Sequence, residues 1–234
     1  MNFQILLGQT ESVDSFSQLA PPMQIAILLG AMSFATAALV SLTAFTRIII
    51  VLSFVRRALS TTEIPPNQVI LGLSFFLTMF VMAPTLERIN EYGMQPYLEA
   101  QKSEETKEDF SISQLFEVCK TEIREFMTVH TRGDDLQLFI DLSETPQPTS
   151  VAEVPLKILM PAFIISELKT SFIMGFCIYI PFLLIDLVIS TILMSLGMMM
   201  MPPVIVSTPC KLLLFVLVDG WQLVSKALVG SFLT

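Results

Sequence analysis

Apolar positions in this chain fall into long unbroken runs on either side of one polar stretch, and the runs have the length of helices. Residues 15 to 46 carry no charge. A spanning helix needs roughly 20 apolar residues, so the pattern predicts a first membrane helix between about Pro22 and Thr46. Apolar character resumes from Ile48 to Val55, with Arg47 as the one charge in the combined run, and closes on Arg56 and Arg57. Ser33, Ala37 and Ser41 recur at every fourth position; this is either a small-residue stripe that lets another helix approach closely or ordinary composition. A second uncharged segment, Ile64 to Leu86, begins with Pro65 and Pro66, which suit a helix start, and is expected to end at Pro84. The two segments form a hairpin with Arg56 and Arg57 at its tip. The positive-inside rule puts that tip in the cytoplasm, so the amino terminus and the polar stretch face outward.

Inside the polar stretch, Ile112, Leu115, Phe116, Cys119, Ile123, Phe126 and Met127 repeat at steps of three and four, the period of an amphipathic helix. Ser111 with Gln114 resembles a capping box, and Gly133 is read as a stop. Asp134 with Gln137 starts a second short helix carrying Leu136, Phe139 and Ile140, ended before Pro146 and Pro148. The apolar stripe is narrow for an independent core. Phe126 and Phe139 therefore pack either within the insert or against a neighbouring copy.

From Val154 the chain is apolar again, yet no Lys or Arg lies between Lys169 and Lys211 to mark a cytoplasmic turn near Gly197. Lys157, Glu167, Lys169, Asp186, Lys211 and Asp219 interrupt or bound the apolar runs. Each charge facing lipid at mid-bilayer costs about 2.5 to 3.5 kcal/mol, so these groups call for partners or a place outside the lipid. Glu167 and Lys211 are expected to pair across a helix or subunit boundary, or else to occupy separate polar pockets. The pattern divides the chain into an outward-facing segment (1–20), a first long apolar helix with a cytoplasmic tip (21–63), a second apolar helix (64–86), an acidic helical insert (87–153), and a carboxyl-terminal apolar hairpin with a methionine loop (154–234).

Composition sharpens this all-α membrane reading. Hydrophobic residues make up 53% and charged residues 15% of the chain, against about a quarter charged in soluble domains. The net charge of -8 is unevenly placed: residues 87 to 153, with fifteen acidic and six basic side chains, carry -9, and the remainder, with six acidic and seven basic, carries +1. Such an insert disfavours nucleic acid and anionic lipid. Cys119, Cys177 and Cys210 are an odd number without metal-ligand spacing, so no disulfide within the chain is expected. The first residues lack the basic start and long apolar run of a signal peptide, so none exists or it has been removed. No HExxH, GxSxG or phosphate-binding glycine loop occurs, and His130 is the single histidine; neither catalysis nor a cofactor is expected. Asp186 and Asp219 lack the neighbours of a paired-aspartate protease, while a proton-coupled carrier fits intramembrane acids.

One motif stands apart. Met198, Met199, Met200 and Met201 follow Gly197 and precede Pro202 and Pro203. Methionines fill irregular core gaps well. The prolines instead favour a turn, where identical subunits around an axis would bring the thioethers together as an apolar ring.

AFTRIIIV (Ala44–Val51), PPNQVILGL (Pro65–Leu73), SELKTSF (Ser166–Phe172), IPFLLIDLVIS (Ile180–Ser190), GMMMMPP (Gly197–Pro203) and LFVLVDGWQL (Leu214–Leu223) are similar to the FliP family of flagellar type III export gates, with its SctR-type injectisome counterparts. The resemblance implies a non-enzymatic inner-membrane subunit of the flagellar basal body, largely periplasm-facing. It implies a pentameric helical ring completed by FliQ-type and FliR-type subunits and served by FlhB-type and FlhA-type export components. Its cargo would be unfolded flagellar proteins. By the same resemblance, the constriction falls on Met198, Met199 and Met200, with Met201 where relatives commonly carry valine. Glu167 and Lys211 match charged positions used between subunits, and Phe126 and Phe139 match aromatic positions that support ring assembly.

Overall fold

The computed structural model describes residues 20–61, 64–102, 111–143, 154–198 and 200–233. The chain divides into two compact units, Met1–Val40 and Ser41–Thr234. All regular structure among the described residues is helical: α1 (Pro21–Leu42), α2 (Phe45–Ala58), α3 (Asn67–Ile89), a π-turn (Asn90–Met94), α4 (Gln95–Lys102), α5 (Ile112–His130), α6 (Gly133–Leu142), α7 (Leu156–Ser195), α8 (Pro203–Leu217) and α9 (Gly220–Gly230). Among the described residues, three stretches are long and apolar enough to cross a membrane, Pro21–Leu42, Asn67–Ala100 and Leu156–Ser195, and the bent pair Pro203–Leu217 with Gly220–Gly230 would make a fourth.

In the first unit, Met23, Ile25, Leu28, Leu29, Met32 and Phe34 of α1 are all exposed. A helix with apolar side chains all round needs an apolar surrounding.

The second unit is organised by α2 and α7. The first helix, expected from about Pro22 to Thr46, ends at Leu42; Thr43 and Ala44 separate it from α2, and the Phe45 N–H turns to the Thr43 hydroxyl at 3.3 Å. The break frees α2 to pack lengthwise on α7, burying Ile48, Val51, Leu52 and Val55 against Leu159, Ala162 and Phe163. Close approach is possible because Gly175 has no side chain; a Cβ there would lie 2.6 Å from the Phe54 ring. Phe54 then sits between Phe172 and Phe176, with the Phe172 ring edge-on at 5.6 Å.

At 40 residues, α7 is about 60 Å long at 1.5 Å per residue, roughly twice a hydrocarbon core of ~30 Å. Its buried positions cluster in the first half, from Ile158 to Gly175, at steps of three and four. Its second half shows Ile180, Leu183, Leu184, Leu187, Val188 and Ile192 to the outside. One half is core, the other an apolar post.

Pro84 does not end its helix. It lies inside α3, and the chain continues through the π-turn into α4. The proline removes one backbone donor, and the helix tolerates the loss. Nor does Gly133 stop α5: it is the first residue of α6, while α5 ends at His130. The other end of α5 follows the capping expectation, with the Ser111 N–H donating to Gln114 Oε1 at 2.7 Å and both halves of the box present. Part of the insert's narrow stripe, including Phe126 and Met127, is covered within the chain where α5 and α6 pack on α7, while Ile112 and Phe116 stay exposed.

Candidate functional site

The methionine corner is built by the end of one helix and the start of the next. α7 closes in a Schellman arrangement: the Gly197 N–H donates to the Met194 carbonyl at 3.1 Å and the Met198 N–H to the Leu193 carbonyl at 3.0 Å. Gly197 sits at φ +75°, the left-handed region that glycine adopts without a Cβ penalty. Pro202 and Pro203 then open α8, where a missing N–H costs nothing. Between these ends Met200 is 99% exposed and Met198 44%, with Met201 half-buried. Met199 lies outside the described residues. Core filling within the chain is thereby removed as the role of Met200, which meets almost no surface of its own chain. Leu196, Val204 and Ile205 extend the same bare apolar tip.

Two charge centres lie inside the second unit. Arg47 on α2 and Glu167 on α7 are both buried; the Arg47 Nε donates to Glu167 Oε2 at 2.8 Å, and Nη2 pairs with Oε1. Arg47 Nη1 also donates to the Ser231 carbonyl and the Ser231 hydroxyl oxygen, each at 2.9 Å, and the guanidinium lies 3.8 Å over the centre of the Phe232 ring. One side chain therefore joins α2, α7 and the segment after α9. The fork geometry suits arginine, which offers five donors in a plane and an apolar-tolerant face.

In the second centre the buried Lys211 of α8 donates from Nζ to Asp186 Oδ2 of α7 at 2.5 Å and to Ser60 Oγ at 2.7 Å. Ser60 holds φ +57° in the turn after α2. This ion pair bridges the two arms that meet at the methionine corner.

Within the chain, the alternative of separate polar pockets is the one that matches. Glu167 and Lys211 are not joined there: each is buried and held by a different residue. Arg47 and Asp186, which stand in the sequence only as isolated charges, are their counterions within the chain. The signal was present, since an arginine alone in an apolar run must find an acid, but which acid depends on packing between segments 120 residues apart.

Phe126 packs within the chain but reaches beyond the insert, onto α7 and the segment after α9. It is buried and meets Phe163 at 6.1 Å, Phe232 at 6.2 Å and His130 at 4.6 Å between ring centres. Phe139 is half-buried against the same core. Burial, and secondarily the Arg47 charge, lower the His130 pKa from 6.5 to about 4, so the ring is neutral at pH 7. Asp219, at φ +52°, is the N-cap of α9, which bends 65° away from α8.

The family model described as FliP family matches residues 28–228. The chain is 48% identical over 210 residues to the "Flagellar biosynthetic protein FliP" of Bacillus subtilis (strain 168), covering 90% of this chain and 91% of that relative. It is 50% identical to the protein so named from Pectobacterium carotovorum subsp. carotovorum, over 90% of this chain and 78% of the relative. The counterpart in Aquifex aeolicus (strain VF5) is 39% identical over 98% of this chain and 90% of its own length.

Proposed function

The chain belongs to the FliP family, and from that premise we propose that it is a membrane-embedded subunit of the flagellar protein-export gate, several copies of which surround a passage narrowed by Met198 to Met201. The observation that carries this reading is the exposure of the methionine corner. A glycine-closed helix end and two prolines hold a thioether clear of its own chain, with Met200 99% exposed. An apolar ring resists ions by dewetting, and unbranched side chains can part around an unfolded polypeptide. We take the ring to be a pentamer in the bacterial inner membrane, facing largely the periplasm and joined by FliQ-type and FliR-type subunits. FlhB-type and FlhA-type components deliver unfolded flagellar proteins to it. The relatives described above are flagellar by name, which favours the flagellum over the virulence injectisome. A proton-coupled carrier is disfavoured, since Glu167 and Asp186 are each committed to a basic partner.

The test replaces Met198, Met199 and Met200 together with alanine in cells whose own copy is deleted. The expected result is an inner membrane that leaks ions while cross-linking still yields the assembled ring. A map of the assembly with residues 198 to 200 directed at lipid would overturn the proposal.

A further inference from the structure

A cavity of about 490 Å³ opens between α3, α5 and the segment after α9. Its floor is apolar, with Phe80 and Pro84 from α3, Val129 from α5 and Phe232 beyond α9; its rim carries Arg88 and Glu125. The axis of α3 runs from one chemistry to the other. Phe75, Phe76, Met79 and Phe80 are bare, and Arg88 follows eight residues after Phe80, about 12 Å further along the helix. That change from bare aromatics to charge within one helix is the profile of a hydrocarbon-to-headgroup boundary.

The rim charges are mixed. Arg88 Nε lies 2.6 Å from Glu122 Oε2 as an ion pair without hydrogen-bond geometry, and its Nη1 lies 3.7 Å from Glu125 Oε1, beyond hydrogen-bond length. The Glu125 side chain is 57% exposed and that of Arg88 41%. The rim therefore offers one accessible cation beside one loosely held anion and, with Glu122, a net charge of minus one. A purely anionic headgroup is repelled there; a headgroup carrying both signs is matched on both.

The geometry points to a site for one zwitterionic phospholipid of the phosphatidylethanolamine class, an acyl chain lying against Phe80 and Val129, its phosphate on Arg88 and its ammonium on Glu125. The site is independent of the methionine corner. It would fasten α3, α5 and the carboxyl-terminal segment to each other through a lipid at the outer edge of the membrane region.

The full chain, purified in mild detergent in its assembled form, is equilibrated with equal amounts of phosphatidylethanolamine and phosphatidylglycerol, and retained lipid is counted by native mass spectrometry. One phosphatidylethanolamine per chain should be kept in preference to phosphatidylglycerol. Glu125→Gln should lower that preference about tenfold, the scale of one charge-assisted contact, and Arg88→Gln should weaken retention of both lipids. Val129→Trp should fill the groove and abolish retention. Because Glu125 is exposed, its variant keeps the test sound if the tryptophan variant misfolds. Equal retention of the two lipids by the unaltered chain would overturn the site, as would unchanged preference in Glu125→Gln. Cross-linking of Val129→Cys to a second copy, showing the groove filled by protein, would overturn it too.

Discussion

Replacing Arg47 with methionine tests the central packing of the second unit. The substitution keeps an unbranched stem of similar length but leaves the carboxylate of Glu167, 0% exposed, without its counterion. Removing one partner of a buried pair costs about 3 to 5 kcal/mol. The two bonds from Arg47 to Ser231 add about 1 kcal/mol each. Glu167→Met should cost less, because Arg47 retains both Ser231 acceptors and the face of Phe232. The double variant removes both charges together. Apolar replacements for a buried pair are often neutral or better, so its loss should be small and dominated by the Ser231 bonds. Thermal and urea unfolding of the full chain in mild detergent, followed by circular dichroism, gives the four corners of the cycle. A double variant whose loss equals the sum of the single losses within about 0.5 kcal/mol would refute the coupling of Arg47 to Glu167.

Two further outcomes follow from local geometry. His130 has a folded pKa of about 4 against 6.5 in the unfolded chain. The unfolded state therefore takes up the proton first, and the stability that neutral His130 contributes is full above pH 6.5 and declines as pH falls toward 4. Unfolding midpoints across that window should show the decline, and His130→Gln should remove its share; an unchanged profile would show that the ring does not titrate as described. At Gly220 a Cβ would lie 2.3 Å from the Phe215 ring. Gly220→Ala should cost about 1 to 3 kcal/mol as overpacking, and Phe215→Leu in the same chain should recover part of it; equal midpoints for the wild type and Gly220→Ala would contradict the contact.

Much of the all-α architecture was legible because local pattern determines it. The repeat from Ile112 to Met127 and the pair Ser111 and Gln114 announce α5 and its start, since capping and amphipathic period are sequence-local. Gly197 with Pro202 and Pro203 likewise announces a helix end and a new start, and the structure places a corner there. The break at Thr43 was not legible: it depends on one side-chain hydrogen bond in an otherwise apolar run. Pro84 misled because proline weakens a helix without having to end it when neighbours supply the packing. The counterions were the hardest to assign. Spacing along the chain shows that Glu167 and Lys211 need opposite charges, but Arg47 and Asp186 win them through helix packing.

The tie between Arg47 and Ser231 also has a bearing on biogenesis. The guanidinium lies early in the chain, yet two of its acceptors belong to a residue 184 positions later. Until the ribosome has made that later segment, this cation stays partly unsatisfied and the first core helix lacks one of its ties. Closing of the core is thus coupled to synthesis of the segment after α9.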